Sequence, residues 1–227
     1  MFLLLDGKGL KVILLKTQAE RIFDKMIKNI IFDMGGVLID YNPEKTVKKH
    51  FSKEHGEIFL REILRNPIWN DKDRGIIFPE EIMEQKKDVI PAEIFEKVSE
   101  MVNNFYPYMP PFEDMCEVVK ELKDNGYKIY LLSNASSDFH ERRSGIPALA
   151  YFDGVVVSAD YKLLKPEKEI YEVLYEKFSL KPEECFFIDD VQKNIDGAKA
   201  TGMIGHCHSN TDMEGLKNAL RDAGVKI

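Results

Sequence analysis

The sequence predicts an α/β fold in which a parallel β-sheet is flanked by helices and a small helical domain is inserted after the first strand. Three observations lead to this fold class. Short apolar runs end abruptly in polar residues, helical patterns separate the runs, and one helical segment is far longer than a single crossover requires. Continuous apolar runs of this kind are typical of strands that are buried on both faces of a parallel sheet.

Each strand of the sheet is predicted from one apolar run. The first run ends at Asp33, and the last one, which completes the sheet, ends near Cys207. The five predicted strands are residues 30–32, 128–132, 155–157, 186–188 and 203–207. Because ligands of open parallel sheets bind beyond the carboxyl ends of the strands, we expect the polar residues that follow these runs to meet at one edge.

The long segment between the first two strands predicts a cap of amphipathic helices. Asn42 is a helix N-cap followed by proline at the first helical position, and prolines followed by acidic residues repeat this start at positions 79 and 91. The proline-rich stretch 106–111 predicts a stiff hinge that leads back to the core. We therefore divide the chain into an N-terminal extension (1–25), a core (26–41 and 107–227) and a helical cap (42–106).

The N-terminal extension is a separate feature, because the segment that starts at Met26 reads as the natural beginning of the core. Its two apolar runs are separated by the turn-forming residues 6–9. This pattern predicts a β-hairpin, followed by a short helix that runs through Ile22.

Composition excludes several classes of function. The 227 residues include 39 acidic and 32 basic side chains, and this net charge of -7 is spread along the chain and repels nucleic acid. The three cysteines lack a C-x-x-C spacing, which favours a reducing compartment over a disulfide framework. No membrane span or targeting segment is visible. We expect a cytoplasmic monomer or homodimer that binds neither nucleic acid nor membranes.

Carboxylates at two strand ends predict a metal site. Asp33 follows the first run and precedes two glycines, which let backbone approach a ligand closely. Asp189 and Asp190 follow the fourth run side by side, and such a pair of like charges is costly unless a cation compensates it. Oxygen ligands of this kind suit Mg²⁺.

Two further strand ends predict a phosphate-binding site. Ser133 and Asn134 open a polar loop after the second run, where hydroxyl and backbone N–H groups can hold phosphate oxygens. Lys165, in a Lys-Pro pair after the third run, adds a positive point charge. Each feature alone is weak, but their joint order along the chain points to phosphoryl chemistry, with Asp33 able to attack phosphorus.

With these residues in place, the chain resembles the haloacid dehalogenase superfamily. The four motifs of that superfamily match residues 32–38, 131–134, 165–166 and 187–190, and the match extends over residues 27 to 207. The helical insert resembles the cap of the dehalogenase-like and sugar-phosphate phosphatase-like branch. The resemblance implies a Rossmann-like core, a cap that closes over the site, Mg²⁺ as the cofactor and a small phosphate ester as the substrate.

The resemblance also implies a role for each matching residue. Asp33 would form an aspartyl-phosphate, while Ser133, Asn134 and Lys165 would bind the transferring phosphoryl group. Mg²⁺ would be held by the Asp33 carboxylate, the Gly35 carbonyl and Asp190, with Asp189 and Asn194 supporting them. Trp69 and the segment 73–75 resemble the cap loop that faces the active site, which makes Arg74 a candidate substrate contact.

Gly35 departs from the pattern of phosphatases in this superfamily, which carry a second aspartate there as general acid and base. Glycine cannot transfer a proton, so we expect a slow enzyme, a different proton donor, or a leaving group such as a sugar 1-phosphate that needs little protonation. The form of this loop resembles an α-D-glucose-1-phosphate phosphatase branch and argues against a phosphoglucomutase. The histidines at positions 50, 55 and 140 are alternative proton donors.

We therefore expect a Mg²⁺-dependent phosphatase that acts on a small phosphorylated metabolite, in first place a sugar phosphate. Two other readings stay open. A 2-haloacid dehalogenase shares the fold and the aspartate nucleophile but works without metal, which leaves the Asp189-Asp190 pair uncompensated. A non-catalytic phosphate-binding scaffold is favoured by Gly35 but gives no reason for Asp33, Ser133 and Lys165 to occur together.

Overall fold

The computed structural model describes residues 5–6, 9–10 and 26–227. Near the N-terminus, β1 (Leu5–Asp6) and β2 (Gly9–Leu10) pair in antiparallel fashion, which confirms the predicted hairpin. The helix predicted through Ile22 lies outside the described residues.

The central sheet is parallel throughout. Its strands are β3 (Asn29–Phe32), β4 (Lys128–Ser133), β5 (Gly154–Val157), β6 (Cys185–Asp189) and β7 (Ile204–Cys207). They lie in the order β5-β4-β3-β6-β7, so the strand that precedes Asp33 is in the centre of the sheet. Each of the five predicted apolar runs overlaps one of these strands, and the predicted α/β, Rossmann-like fold is confirmed.

The sheet has apolar residues packed on both faces, as its strand pattern predicts. Side chains alternate along β3, so Ile30 and Phe32 join one hydrophobic cluster and Ile31 joins the other. Six core helices cover the sheet: α6 (Glu113–Asp124), α7 (Phe139–Arg142), α8 (Ser158–Tyr161), α9 (Lys168–Phe178), α10 (Gln192–Ala200) and α11 (Met213–Asp222). Among the helices that the structure describes, none has the length and apolarity needed to cross a bilayer.

The segment 42–106, named here the helical insert, is helical as predicted. It contains α1 (Pro43–His50), α2 (Lys53–Phe59), a π-helical turn (Leu60–Leu64), α3 (Pro67–Asp73), α4 (Pro79–Lys86) and α5 (Ala92–Asn103). Asn42 caps α1 as expected, because its Oδ1 accepts a hydrogen bond from the Lys45 N–H at 2.9 Å. The predicted hinge contains a 3-10 turn at Tyr106–Tyr108. The division of the chain into domains stays a prediction.

The insert lies close against the core just after α3. Gly75 has a φ of +73°, and a Cβ at this position would lie 2.7 Å from the carbonyl oxygen of Ala159 in α8. Gly126 serves as a contrast. It also has a positive φ, of +92°, but a Cβ there would meet no described atom within 4 Å. Glycine at position 75 is therefore required both by its backbone conformation and by the contact.

We expect Gly75→Ala to lower the free energy of unfolding more than Gly126→Ala. Both substitutions place an L side chain at a positive φ, which costs roughly 1–2 kcal/mol. Only Gly75→Ala adds overpacking against backbone, which typically costs about 1–3 kcal/mol more. Urea titrations of the three proteins, followed by circular dichroism, measure the difference. Equal losses would contradict the close approach of insert and core.

Candidate active site

Asp33 stands at the carboxyl end of β3, in the middle of the sheet. Its N–H donates to the Ile188 carbonyl at 2.8 Å, so pairing with β6 continues up to this residue. Only 8% of Asp33 is exposed. Burial raises the pKa of its carboxyl above the ordinary value, and the charge of Lys165 opposes this effect.

The ammonium group of Lys165 is buried between two carboxylates. Its Nζ lies 2.8 Å from Asp33 Oδ1 and 2.7 Å from Asp189 Oδ2, and it donates to the Leu132 carbonyl at 2.9 Å. Burial alone would lower the pKa of Lys165, but the two carboxylates outweigh burial and raise it, so the ammonium stays charged. Lys165 thus links the carboxyl ends of β3, β4 and β6.

Ser133 and Asn134 adjoin this group. Ser133 is 1% exposed and lines the same cavity as Asp33. The Asn134 side chain pairs with the backbone of Lys165: its Oδ1 accepts from the Lys165 N–H at 2.8 Å, and its Nδ2 donates to the Lys165 carbonyl at 3.1 Å. Asn134 therefore positions Lys165, a function that the sequence pattern did not predict.

Three carboxylates form a compact oxygen cluster beside Lys165. Among the described residues, Asp33, Asp189 and Asp190 each offer one oxygen atom, and these atoms lie within 4.8 Å of one another. Loss of hydration, together with the charges of Asp33 and Asp189, raises the pKa of Asp190 to about 7. The repulsion within this cluster would be relieved by a cation.

The donors around Asp189 show which oxygens of the cluster can face a cation. Asp189 Oδ1 accepts from the Val191 N–H at 2.8 Å and from Asn194 Nδ2 at 3.0 Å, and its Oδ2 is bound by Lys165. Asn194 Oδ1 is buried without a hydrogen-bond partner among the described atoms. Both oxygens of Asp189 thus accept hydrogen bonds, and the carboxylates of Asp33 and Asp190, with Asp189 and Asn194 beside them, make a set of oxygen atoms that fits Mg²⁺.

Glycine at position 36 lets this cluster form. Gly36 has a φ of +72°, and a Cβ there would lie 2.3 Å from Asp190 Oδ2. The backbone of the loop after Asp33 can therefore pass directly against Asp190. Gly35 lines the same cavity. The superfamily resemblance implies that its carbonyl is a metal ligand.

A cavity of about 330 Å³ opens above Asp33 between the core and the helical insert. Its floor is polar and contains the side chains described above. Its wall is mainly apolar and aromatic, with the residues Ile39, Tyr41, Leu64, Trp69, Phe105, Tyr106 and Met109. The cavity thus combines a charged floor with a wall that can contact the organic part of a substrate.

Three consecutive residues hold the insert on the core. Lys72 Nζ donates to Ser136 Oγ at 2.7 Å, and it also lies 4.8 Å from the centre of the Trp69 ring. The Asp73 carbonyl accepts a hydrogen bond from the Ser158 hydroxyl.

Arg74, the third of these residues, pairs with Glu167 and donates to the Lys162 carbonyl at 3.1 Å. Its guanidinium is therefore engaged with the core, and Arg74 is not among the residues that line the cavity.

The site places the loop after Asp33 against Tyr41. A Cβ on Gly35 would lie 3.2 Å from Tyr41 Cβ, so Tyr41 takes part of the space that a larger side chain would need.

The three histidines considered as proton donors lie elsewhere. His50 packs edge-on against Tyr108, His55 lies 3.3 Å from Glu93, and His140 lies 3.0 Å from Asp160.

Sequence reasoning missed several cavity residues on α3. Asn70, Lys72 and Asp73 line the cavity together with Trp69, whereas the sequence comparison selected Arg74 from this segment. Lys72 and Asp73 come three and four residues after Trp69, which is the spacing of one helical face. That periodicity is the signal that could have identified them.

Comparison with known proteins places the chain in a hydrolase family and finds phosphatases among its relatives. A family model described as haloacid dehalogenase-like hydrolase matches residues 27–202. A sesquiterpene phosphatase of Aspergillus oryzae is 31% identical over 182 residues, which cover 78% of this chain and 88% of that protein. A D-ribitol-5-phosphate phosphatase of Bacteroides thetaiotaomicron is 26% identical over 189 residues, which cover 78% of this chain and 89% of that protein.

A solved structure shares the fold. It is a HAD family enzyme from Bacteroides thetaiotaomicron in complex with magnesium and inorganic phosphate. The match has a TM-score of 0.65 at 24% identity and covers 84% of this chain and 98% of that one. The family model confirms the superfamily resemblance, while the glucose-1-phosphate phosphatase branch stays a prediction.

The buried charges predict a large effect of removing Lys165. We expect Lys165→Ala to lower the free energy of unfolding by about 3–5 kcal/mol, because Asp33 and Asp189 would stay buried without their cation. Lys168→Ala is the matched control, since Lys168 forms an exposed pair with Glu172 and should contribute little. Urea denaturation measures both. Similar losses in the two variants would show that Lys165 does not balance the buried carboxylates.

Proposed function

Because this chain belongs to the haloacid dehalogenase-like hydrolases, we propose that it is a phosphatase that hydrolyses a small phosphorylated metabolite through an aspartyl-phosphate on Asp33. The observation that carries the proposal is the buried group in which Lys165 joins Asp33 and Asp189 at the strand ends, beneath a cavity. The phosphatase names of the two relatives support it.

The described geometry suggests what each side chain does. Lys165 opposes the effect of burial on the Asp33 carboxyl and fixes its direction, so that a carboxylate oxygen can attack phosphorus. Ser133, at the neighbouring strand end, would donate its hydroxyl hydrogen to an oxygen of the transferring group. Asn134 contributes indirectly, because it holds the backbone of Lys165. Covalent catalysis then divides the hydrolysis into phosphoryl transfer to Asp33 and attack by water.

The oxygen cluster supports Mg²⁺ as the cofactor. Asp33, Asp190 and the Gly35 carbonyl would hold it, with Asp189 and Asn194 behind them. When bound, Mg²⁺ supplies the positive charge that offsets repulsion between an anionic nucleophile and an anionic phosphate. The magnesium and phosphate in the Bacteroides enzyme of the same fold agree with this assignment.

The substrate class we propose first is a sugar phosphate. The cavity has room for a small molecule, and one relative is named for a sugar-alcohol phosphate. A second class, an isoprenoid monophosphate, is favoured by the apolar and aromatic wall and by the sesquiterpene phosphatase relative. A dehalogenase activity is less favoured, because it leaves the Asp189-Asp190 pair without a compensating cation.

Phosphate release from a panel of esters tests the proposed function. The panel contains glucose 1-phosphate, ribitol 5-phosphate, a sesquiterpenyl monophosphate and p-nitrophenyl phosphate. We expect turnover with Mg²⁺ and a loss of more than about 10³-fold in Asp33→Asn, because the nucleophile is removed. Asp40→Asn, which alters an aspartate paired with the exposed Lys45, should stay active. Turnover by Asp33→Asn near the level of the unchanged protein would refute the mechanism.

Binding of Mg²⁺ is tested separately from activity. A ligand that binds the native state stabilises it, by about 2.7 kcal/mol at a hundredfold excess over its Kd. We expect Mg²⁺ to raise the Tm of the protein and EDTA to reverse the shift. In Asp190→Asn the shift should be lost, whereas Asp196→Asn, which changes an exposed aspartate of α10, should retain it. An equal shift in both variants would place the metal elsewhere.

A further inference from the structure

The cavity lacks a proton donor two residues after the nucleophile, where related phosphatases carry one. Position 35 is glycine, and Tyr41 occupies part of the adjoining space, with its Cβ 3.2 Å from where a Gly35 Cβ would lie. An alcohol leaves poorly as an alkoxide, and general acid–base catalysis typically contributes about 10²–10⁴-fold in rate. A proton donor that reaches the cavity from another direction would supply this contribution.

One acidic residue of the helical insert lines the cavity. Asp73 is the last residue of α3 and lines the same cavity as Asp33 and Gly35. Its backbone is fixed on the core, because the Ser158 hydroxyl donates to its carbonyl and the Ala135 N–H donates to Ser158 Oγ at 2.9 Å. Ala135 follows the Ser133-Asn134 loop directly, so Asp73 is held over the strand ends that bear the charged group.

The surroundings of Asp73 keep a proton available on its carboxyl. Burial raises the pKa of Asp73 to about 7; the charge of Lys72 opposes the shift, and Asp138 and Asp33 add to it. Tyr41 and Tyr106 line the same cavity. Burial raises the pKa of both phenols, with Asp73 adding to the shift at Tyr41 and Asp138 and Asp73 adding to it at Tyr106, so both phenols stay protonated. The Lys72 ammonium is engaged with Ser136 and the Trp69 ring.

We propose that Asp73 is the general acid and base of this chain, in place of the carboxyl that Gly35 lacks; this inference rests on the proposed phosphatase function. In the first half of the reaction, an Asp33 oxygen bonds to phosphorus and the bond from phosphorus to the ester oxygen breaks. That oxygen takes the proton of the Asp73 carboxyl and leaves as an alcohol.

In the second half, water attacks the phosphorus of the aspartyl-phosphate and the Asp73 carboxylate takes a proton from that water. Phosphate departs, and Asp33 is again a carboxylate while Asp73 is again protonated. With a proton donor of this kind, the chain is not confined to substrates such as sugar 1-phosphates, whose leaving groups need little protonation.

The test varies the leaving group. Asp73→Asn keeps the size of the side chain and the backbone contact to Ser158, but it removes the transferable proton. We expect kcat/KM, which reports the steps up to departure of the leaving group, to fall by about 10²–10⁴-fold for an alkyl phosphate such as ribitol 5-phosphate. For p-nitrophenyl phosphate it should fall by less than about tenfold, because nitrophenolate leaves without a proton. Asp71→Asn, on the same helix and outside the cavity lining, should change neither rate.

A purely structural role for Asp73 gives a different result. If Asp73 only shaped the insert, kcat/KM would fall by the same factor for the two substrates, and that outcome overturns the inference, as does an unchanged kcat/KM for the alkyl ester. Asp73→Ala provides a second line of evidence, since added formate should restore part of the turnover of the alkyl ester if a carboxyl is what is missing. Failure of the unchanged protein to hydrolyse any ester would instead refute the proposed function itself.

Discussion

The ammonium of Lys165, buried between Asp33 and Asp189, is the interaction on which the rest of the site depends. It neutralises part of the charge that three neighbouring carboxylates bring to the end of the sheet. It also binds the carbonyl of Leu132, so one side chain joins the ends of three adjacent strands. A charge taken out of water this completely is tolerated only when partners surround it, which explains why Asn134 is used to hold the Lys165 backbone in place.

The two glycines after Asp33 show how backbone space decides the chemistry around this ion group. At position 36 only glycine allows the loop to pass against Asp190, and the acidic cluster forms as a result. At position 35 glycine leaves a gap that Tyr41 partly fills, and no acid extends from this loop into the cavity. The loop that assembles the oxygen ligands thus carries no proton donor, and in our proposal Asp73 of the helical insert supplies the proton instead.

The sequence predicted the core well because the relevant constraint is topological. Strands buried on both faces read as uninterrupted apolar runs, and parallel strands bring whatever follows them to one edge, which is where Asp33, Ser133, Lys165 and Asp190 are found. The hydrogen bonds between the Asn134 amide and the Lys165 backbone could not be predicted from the strand pattern, since the two residues lie 31 positions apart on different loops. Tertiary contact alone determines that pairing.

The helical insert was less predictable, because its docking on the core depends on contacts that no local pattern specifies. Helical phase separates Trp69 and Asp73, which share the face toward the cavity, from Arg74, which follows α3 and pairs with Glu167. Three successive residues therefore bind three different parts of the core, and Asp73 also lines the cavity. Since Asp73 belongs to the insert, its place in the cavity depends on these contacts. Under the proposed mechanism, proton transfer from Asp73 would therefore depend on the docking of the insert on the core.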